Sequence, residues 1–483
     1  MIPPLCMTDF YKTDHISQYP KGTEFIYSNW TARESRLPGI DKIVVFGIQY
    51  FIKEFLIHRF NDGFFNRPKA EVVAAYKRRM DNSLGKDAVD MKHIEQLHDL
   101  GYLPVTIKAL PEGTLCPIGI PCLTIINTKE EFYWVTNFLE TLLSNSLWQA
   151  MTSATIAYNY RKILDRFAKA TSSTPEFVSF QGHDFSMRGL SSMESASISS
   201  AAHLLSFVGT DTISAIDFLE QYYNANSDEE LIACSVPATE HSVMSIGEKG
   251  NELQTFKRLI TEIYPKGIVS IVSDTWNFWK VVHEYLDILK DTILARDGKL
   301  VIRPDSGDPI KILCGDPEAP SYPENKGAVE LLWDTFGGKV NDKGFKELDP
   351  HIGLIYGDSI TMARANTICS ILQSKGFAST NVVFGIGSYT YQYNTRDVFG
   401  FAMKATWGMV NGKKVVIYKD PLTDNGCKKS ARGLLRVNND KTLNEEVTLA
   451  EESNGLLQAV FSDGELLINQ TLSGIRDRLK NEV

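Results

Sequence analysis

The sequence predicts an α/β protein, in which an irregular β/α barrel is joined to a mixed α/β domain. Between residues 177 and 388, seven apolar runs each stop abruptly on a charged, glycine or hydroxyl residue. Two of these runs, within 267–274 and 299–305, are almost wholly apolar, as expected of parallel strands covered on both faces. A chain of 483 residues has room for a barrel of about 240 residues and one further unit. Charged groups at successive strand ends also predict an enzyme, because the active sites of β/α-barrel enzymes lie at the carboxyl ends of the strands.

The N-terminal part alternates helical and extended patterns. Residues 43–56 predict a buried strand or the start of a helix, and residues 71–80 predict a helix. Two β-type runs, 103–113 and 121–127, are separated by proline and glycine. Residues 130–168 then predict one or two long helices that carry the chain into the barrel.

Two later segments complete the predicted organisation. The Pro/Gly/Glu-rich stretch at 314–326 predicts a loop or lid. After residue 389, runs at 414–418 and 434–437 predict hairpin strands that return to the N-terminal unit. The predicted domains are therefore a barrel at residues 146–388 and a mixed α/β domain at residues 1–145 and 389–483.

Composition excludes several classes of protein. A net charge of −9 argues against a nucleic-acid binder, although a basic cluster lies at 413–432. The seven cysteines are scattered without a CxxC pair, so neither a zinc knuckle nor a disulfide framework is indicated. The N-terminus lacks the pattern of a signal peptide, and no apolar run reaches the ~20 residues of a membrane helix. We therefore expect a cytoplasmic protein that does not bind membranes.

Two strand ends carry candidate groups for an aromatic or anionic ligand. A predicted strand at 177–180 runs into a polar turn, where Arg188 suits an anion and Phe185 offers a flat aromatic face. A turn with a structural arginine and a core phenylalanine is an equal alternative. Asp211 ends the next run and could accept hydrogen bonds from an amide or ring N–H, but aspartate is also a favoured helix N-cap, and pattern alone favours the cap.

Two further strand ends suit acid–base and phosphate chemistry. His241 follows Glu240 just past an apolar run, and histidine serves nucleophilic or acid–base roles near neutral pH, although a lone histidine is more often structural. Arg303 and Asp305 are two residues apart and so point to the same side. A guanidinium can bind phosphate, and a carboxylate can hold a sugar hydroxyl or Mg²⁺.

The last two strand ends contain glycine. Gly357 precedes Asp358, and Gly385 and Gly387 precede Ser388. Barrel enzymes commonly hold a phosphate in the loops after strands seven and eight, on backbone N–H groups that glycine leaves uncovered. The dinucleotide fingerprint GxGxxG fails at Thr390, so we predict a phosphate cradle of barrel type.

Taken in order, these motifs resemble the nicotinamide phosphoribosyltransferase family, over about residues 7–435. The motifs are Thr8-Asp9-Phe10-Tyr11-Lys12, Gln18-Tyr19-Pro20, Pro111-Glu112-Gly113, His183-Asp184-Phe185 with Arg188-Gly189, Gly209-Thr210-Asp211-Thr212, Glu240-His241-Ser242, Ser273-Asp274, Arg303-Pro304-Asp305-Ser306-Gly307, Gly357-Asp358 and Tyr418-Lys419-Asp420-Pro421. The resemblance implies condensation of nicotinamide with phosphoribosyl pyrophosphate to nicotinamide mononucleotide and pyrophosphate, in NAD salvage. It also implies Mg²⁺, ATP hydrolysis coupled through a phosphohistidine, and a homodimer whose mixed α/β domains help to form shared active sites.

The resemblance also implies a role for individual residues. Phe185 and the partner subunit's Tyr11 would stack on the pyridine ring, and Asp211 would accept the carboxamide N–H. His241 would be phosphorylated, and Asp274 would act near Mg²⁺ and pyrophosphate. The ribose and phosphate contacts would come from Arg188, Arg303, Asp305, Gly357, Asp358, Gly387 and Ser388. Basic residues clamping phosphates across the interface would be Arg33, Arg396, Lys404, Lys419 and Lys428.

Two departures from the family pattern concern phosphate. The family's Ser-Gly-Gly loop reads Ile386-Gly387-Ser388 in this chain, and Ala402 stands where the family has a serine. A Cβ at Ser388 limits the approach of a phosphate to the backbone. The rival in chemistry is a nicotinate phosphoribosyltransferase, whose substrate carboxylate Asp211 would repel. A different kind of alternative is a non-catalytic ligand-binding scaffold. The presence of His241, Asp274, Arg303 and Asp305 argues against it.

Overall fold

The computed structural model describes residues 2–357, 359–420 and 430–482. The chain divides into two compact units: one comprises 1–155, 218–225 and 394–483, and the other comprises 156–217 and 226–393. The division thus lies near residue 155 and near residue 393, and the short segment 218–225 belongs with the chain termini. No helix in the described ranges combines the length and the apolarity that crossing a membrane requires.

The first unit is built on an antiparallel sheet. Its strands, in spatial order, are Lys413–Val416, Ala402–Val410, Thr23–Thr31, Pro121–Asn127, Val105–Ala109, Gln458–Ser462 and Glu465–Leu466. Two smaller pairs join Lys42–Val44 to Leu115–Pro117 and Leu434–Val437 to Leu443–Val447. Ala402–Val410 pairs with Thr23–Thr31, so a strand after residue 389 lies beside an N-terminal strand in this sheet.

The first unit also contains several helices. They are His15–Gln18, Ile48–Tyr50 with its π-helical continuation Phe51–Arg59, Lys69–Leu84, Lys92–Leu100, Tyr133–Phe138, Leu449–Ser453 and Leu472–Asn481. Both alternatives for 43–56 apply in part, since a short strand ends at Val44 and a helix begins at Ile48. The long helix predicted after residue 130 is present as Glu140–Thr171, and it continues past residue 155 into the second unit.

The second unit is an irregular barrel of parallel strands. The strands, in spatial order, are Gly209–Thr210, Gly182–Asp184, Val382–Ile386, Ile352–Tyr356, Asp297–Arg303 and Lys266–Val272. Cys234 bridges Gly209, and Ala238 bridges Ser270, so that residues 234–238 join the two edge strands and close the ring. The predicted fold class is confirmed.

The outward face of the barrel strands forms a dry core. Val269, Ile271, Leu300, Ile302 and Phe384 are fully buried. The helices of this unit include Met193–His203, His241–Ile246, Glu252–Arg258, Leu286–Leu294, Pro309–Cys314, Ala328–Phe336, Met362–Ser374 and Ser388–Tyr391. The helix Ser214–Tyr223 begins in this unit and ends in the segment 218–225 of the first. Apolar runs buried against helices are what parallel strands require, and this explains why they could be recognised in the sequence.

One local prediction in the second unit was wrong, and another holds only in part. The strand expected at 177–180 is a 3₁₀ turn at Pro175–Phe177 followed by a short helix, Val178–Gln181, because Pro175 sets the first turn. The strand begins only at Gly182, where a Cβ would meet the Phe207 ring at 2.7 Å. The stretch 314–326 is not a loop throughout, because Ser321 caps a helix at Tyr322–Lys326.

Candidate active site

Five side chains meet at one wall of the barrel cavity. His183 and Phe185 share one face of their strand end, and their rings lie 4.6 Å apart. His183 Nε2 lies 2.9 Å from Asp211 Oδ1, and the Ser235 hydroxyl donates to the same oxygen at 2.7 Å. The Arg303 guanidinium lies 6.0 Å from the centre of the Phe185 ring. The wall therefore combines a flat aromatic face, an oriented carboxylate and a cation.

Asp211 is ionised in this setting. Burial raises the pKa of the Asp211 carboxyl, but the hydrogen bonds from His183 and Ser235 and the nearby charges of His183 and Arg303 together lower it by more, and the net pKa lies below the ordinary value. The next helix begins at Ser214, and Oδ1 bonds to residues of neighbouring strands. These contacts leave the capping alternative without support. Asp211 faces the cavity as an acceptor.

A second cluster gathers two carboxylates around an imidazole. His241 Nε2 lies 3.9 Å from Asp274 Oδ1 and 3.9 Å from Asp305 Oδ2, while Nδ1 lies 3.0 Å from the Thr275 hydroxyl. Asp274 Oδ2 accepts the Asp305 backbone N–H at 2.8 Å and the Ser306 hydroxyl at 2.6 Å. The sequence-predicted catalytic residues His241, Asp274 and Asp305 are thus brought together.

Two buried polar atoms of these clusters have no hydrogen-bond partner among the described residues. Asp274 Oδ1 and Arg303 Nε are buried without a hydrogen bond. The Arg303 guanidinium makes one long bond, from Nη2 to the Thr239 carbonyl at 3.4 Å. Unsatisfied buried charge is costly, so both atoms suit a ligand that supplies the missing partners, an anion for Arg303 and a cation or donor for Asp274.

The glycine-rich turns lie at the same edge of the barrel. The Gly357 N–H donates to the Pro304 carbonyl at 3.0 Å, and a Cβ at Gly357 would meet Asp305 Oδ1 at 2.7 Å. A Cβ at Gly189 would lie 2.1 Å from the Ser388 hydroxyl oxygen. The structure thus brings the Arg188-Gly189 turn against Ser388, with Arg188 exposed. Asp358, between Gly357 and Ser359, lies outside the described residues.

The cavity continues from this wall through the barrel. Its volume is about 660 Å³. The upper part is lined by His183, Phe185, Asp211, Ser235 and Arg303, and the remainder by residues that include Ser270, Lys299, Val301, Glu347, Asp349, Ile352 and Asn381. An aromatic ring that enters beside Phe185 therefore finds its polar partner, Asp211, on the cavity wall.

The other predicted phosphate contacts lie in the first unit. Arg33 Nε donates to the Gly400 carbonyl at 2.7 Å. Burial lowers the pKa of Lys404; Glu140 opposes the shift, and the nearby cations Arg33, Lys419 and Arg396 add to it. Such crowding of like charges suits an anion site. Tyr11 is 62% exposed on a 3₁₀ turn, and Lys428 lies outside the described residues.

Sequence reasoning missed three residues at the site. Ser235 and His183 hold Asp211, and Thr275 holds His241. Alternation along the strand end could have identified His183, because it shares a face with Phe185. No local signal marks Ser235 or Thr275, since the residue that each one contacts, Asp211 or His241, is distant in the sequence.

A metal site made of protein ligands alone is absent from the described residues. No group of three or more His, Cys, Asp or Glu side chains in them could hold an ion. The open Asp274 Oδ1 nevertheless fits a cation that brings its other ligands with it, as Mg²⁺ bound to a polyphosphate does.

Comparison with known families covers both parts of the chain. A model described as the nicotinate phosphoribosyltransferase (NAPRTase) family matches residues 180–465. A model of the N-terminal domain of nicotinamide phosphoribosyltransferase matches residues 4–107.

Relatives named nicotinamide phosphoribosyltransferase extend over almost the full length. One from Acinetobacter baylyi is 54% identical, with 100% of this chain and 98% of the relative covered. One from Xanthomonas campestris pv. campestris is 34% identical, with 98% and 97% covered.

Solved structures share the fold at low sequence identity. Nicotinate-nucleotide pyrophosphorylase of Pyrococcus furiosus has a TM-score of 0.57 at 14% identity, covering 99% of this chain and 95% of that one. Human nicotinic acid phosphoribosyltransferase has a TM-score of 0.50 at 14% identity, covering 98% and 93%. These likenesses concern the fold alone. With family models over both parts and relatives at 54% and 34% identity along nearly its whole length, the chain belongs to the nicotinamide phosphoribosyltransferase family.

Proposed function

We propose that this enzyme transfers the 5-phosphoribosyl group of phosphoribosyl pyrophosphate to the ring nitrogen of nicotinamide, in NAD salvage. The products are nicotinamide mononucleotide and pyrophosphate. The observation that carries the proposal is the ionised Asp211 on the cavity wall beside the Phe185 ring. The names of the relatives at 54% and 34% identity support it.

Asp211 favours an amide over a carboxylate. Oδ1 is engaged by His183 and Ser235, and within the described residues no hydrogen bond reaches Oδ2. A carboxamide N–H can donate to Oδ2 while its ring lies against Phe185. Nicotinate would instead place a second carboxylate against the first, and like charges close together are repelled strongly once water is excluded. The site therefore suits nicotinamide.

The phosphoribosyl group requires anion binding and little acid–base chemistry. The reacting centre develops oxocarbenium character as pyrophosphate leaves, so the site must stabilise a polyanion and align the ring nitrogen. Arg303, whose Nε has no hydrogen-bond partner in the part of the chain that the structure describes, would bind phosphate, and Asp305 would hold the ribose hydroxyls. The turns at Arg188, Gly357, Asp358, Gly387 and Ser388 would surround the 5′-phosphate and ribose.

Mg²⁺ would reach the site on pyrophosphate. Asp274 would contribute the open Oδ1, with Oδ2 held by Asp305 and Ser306. When bound, the ion would neutralise charge on the leaving pyrophosphate. The remaining ligands would be phosphate oxygens and water, in keeping with the preference of Mg²⁺ for few protein carboxylates.

His241 would couple the reaction to ATP. Its Nδ1 is next to the Thr275 hydroxyl, and Nε2 is directed between Asp274 and Asp305. We assign Nε2 as the nucleophile toward the terminal phosphoryl group of ATP: the N–P bond forms as the bond to ADP breaks, and water later releases phosphate. The side chain is 48% exposed, so a nucleotide can reach it.

A second subunit would complete the site. Tyr11 would stack on the free face of the pyridine ring in the partner's site, and the basic residues of the first unit would bind phosphates there. Those residues are Arg33, Arg396, Lys404, Lys419 and Lys428. The crowding of cations around Lys404 and the exposure of the Tyr11 ring support this assignment.

The test is a pyrophosphate-release assay with phosphoribosyl pyrophosphate, Mg²⁺ and ATP, run with nicotinamide, with nicotinate and without a base. We expect release that depends on nicotinamide, with nicotinamide mononucleotide identified by mass spectrometry. Release only with nicotinate, or none with either base, would refute the proposal.

A further inference from the structure

Asp184 is a buried carboxylate that the proposed chemistry does not use. Its side chain is fully buried, and it lies between the cavity-lining residues His183 and Phe185. Oδ1 accepts the backbone N–H and the hydroxyl of Ser186 at 3.0 and 2.6 Å. Alternation along the strand end turns Asp184 away from the cavity, toward the inside of the protein.

The second carboxylate oxygen is bound by the two neighbours of Asp211. Oδ2 accepts the hydroxyls of Thr210 and Thr212 at 2.9 and 3.0 Å. The Asp211 N–H itself donates to the Asp184 carbonyl at 3.0 Å. Both threonines are buried, whereas Asp211 between them faces the cavity. Asp184 thus binds Thr210 and Thr212, the residues on either side of Asp211, and also the backbone N–H of Asp211 itself.

The same carboxylate closes the turn that carries Phe185. The Phe185 N–H donates to the Ile386 carbonyl at 2.9 Å, and Ser186 directly after it is bound twice by Asp184. The ring that would stack on the base and the carboxylate that would select it therefore share one anchor.

Further polar contacts make this anchor rigid. The Thr210 hydroxyl also lies 3.0 Å from the Ser200 hydroxyl. His203 Nε2 lies 3.0 Å from the Gly209 carbonyl, and since a carbonyl can only accept, Nε2 carries the proton. His203 Nδ1 lies 2.6 Å from the Tyr391 hydroxyl. All these groups are buried, so each contact limits the movement of the residues on either side of it.

We infer that Asp184 is a positioning residue for base selection, which aligns the Asp211 carboxylate and the Phe185 ring with each other. The inference rests on the proposed role of Asp211. It favours a carboxylate at position 184, because four donors converge on its two oxygens and one of them is a backbone N–H that cannot reverse. An amide that kept its oxygen on the two Ser186 donors would turn its NH2 group toward the hydroxyls of Thr210 and Thr212, and both hydroxyls would have to reverse from donors to acceptors.

The test compares Asp184→Asn with Thr210→Val/Thr212→Val, and uses Thr210→Ser/Thr212→Ser as the matched control that retains both hydroxyls. The measurements are KM for nicotinamide, KM for phosphoribosyl pyrophosphate, the ratio of kcat/KM between nicotinamide and nicotinate, and the thermal unfolding midpoint. For the first two variants we expect KM for nicotinamide to rise about tenfold or more and the base ratio to fall by a similar factor. KM for phosphoribosyl pyrophosphate should stay within about twofold, and the serine variant should behave as wild type.

Two results would overturn the inference. One is a folded Asp184→Asn enzyme with an unchanged base ratio. The other is an equal loss for both substrates that follows the unfolding midpoint, as a purely structural residue would give. If Asp184→Asn does not fold, the valine pair decides the question by the same criteria. A wild-type enzyme that does not prefer nicotinamide would refute the proposed function before any variant is compared, and the inference with it.

Discussion

His183 Nε2 and Asp211 Oδ1 lie 2.9 Å apart across the ends of two adjacent parallel strands. The Ser235 hydroxyl donates to the same oxygen, and within the described residues Oδ2 of this cavity-lining side chain accepts no hydrogen bond. The position of the carboxylate is therefore set by contacts that exist before any substrate binds. Such preorganisation reduces the cost of ordering the site when the base enters.

The coupling of ATP hydrolysis to turnover should depend on His241. We expect His241→Ala to lose ATP hydrolysis and to keep slow phosphoribosyl transfer, because Arg303 and the glycine turns remain. Thr275→Val is the companion variant: it removes the hydroxyl 3.0 Å from Nδ1 and should weaken the coupling without abolishing it. ADP release and nicotinamide mononucleotide formation, measured together, give the coupling ratio. Unchanged ADP release in His241→Ala would leave the histidine without this role.

The close approach of Gly189 to Ser388 predicts a rescue experiment. A Cβ at Gly189 would lie 2.1 Å from Ser388 Oγ and 2.4 Å from Ser388 Cβ, so Gly189→Ala should displace the loop before the Ser388–Tyr391 helix. KM for phosphoribosyl pyrophosphate should rise by about tenfold. Ser388→Gly removes both clashing atoms, and the double variant should recover most of the loss. A double variant as impaired as Gly189→Ala would show that this contact does not shape the phosphate site.

Glu112 in the first unit predicts a pH dependence of stability. It is fully buried, and its carboxylate accepts the backbone N–H groups of Gly47 and Gln49 at 2.8 and 2.6 Å. Burial raises the pKa of Glu112 from 4.5 to about 7, although these donors oppose the shift. Between these values the folded chain holds a proton that the unfolded chain has released, so the free energy of unfolding falls as the pH rises.

The expected loss is about 3 kcal/mol, complete by about pH 7. It would appear as a lower urea midpoint at pH 8 than at pH 5. Residue 112 cannot titrate in Glu112→Gln. The free energy of unfolding of this variant should therefore fall less between pH 5 and pH 8 than that of the wild type, by most of this amount. Equal pH dependence in the two proteins would contradict the assignment of this titration to Glu112.

Shared active sites predict complementation between inactive subunits. One chain would carry Tyr11→Ala with Arg33→Ala, and the other would carry Arg303→Ala. When the two are refolded together, half of the dimers should be mixed, each with one intact site of two, so activity should return to about a quarter of wild type. Mixed dimers that form and remain inactive would show that each site lies within one subunit.

Much of the site could be predicted from where the apolar runs stop. The carboxyl ends of parallel strands share one edge, so Phe185, Asp211, Asp274 and Arg303 had to lie near one another once the strands were recognised. The apolar run before His241 predicts a strand, but the structure has only isolated bridges at Cys234 and Ala238 in the segment that closes the ring. A short apolar run is compatible with a strand and with a helix. For this reason the sequence predicts a strand at 177–180, where the structure has the helix Val178–Gln181.

Side-chain contacts between neighbouring strands could not be predicted from the sequence. Ser235 on Asp211 and the two threonines on Asp184 depend on the register of neighbouring strands, which no local pattern encodes. Glu112 lies between Pro111 and Gly113 in the sequence, and no local pattern marks this carboxylate as fully buried. Its burial follows from a long-range contact with Tyr223, whose hydroxyl donates to it at 2.9 Å.

The most direct measurement is the ratio of kcat/KM for nicotinamide to that for nicotinate, in wild type, Asp211→Asn and Ser235→Ala. The wild-type ratio should be large. Asp211→Asn removes the charge and should lower the ratio by at least about tenfold, mainly by improving the use of nicotinate. Ser235→Ala keeps the charge and should retain the preference. Equal use of both bases by the wild type, or an unchanged ratio in Asp211→Asn, would contradict the claim that the Asp211 carboxylate selects the base.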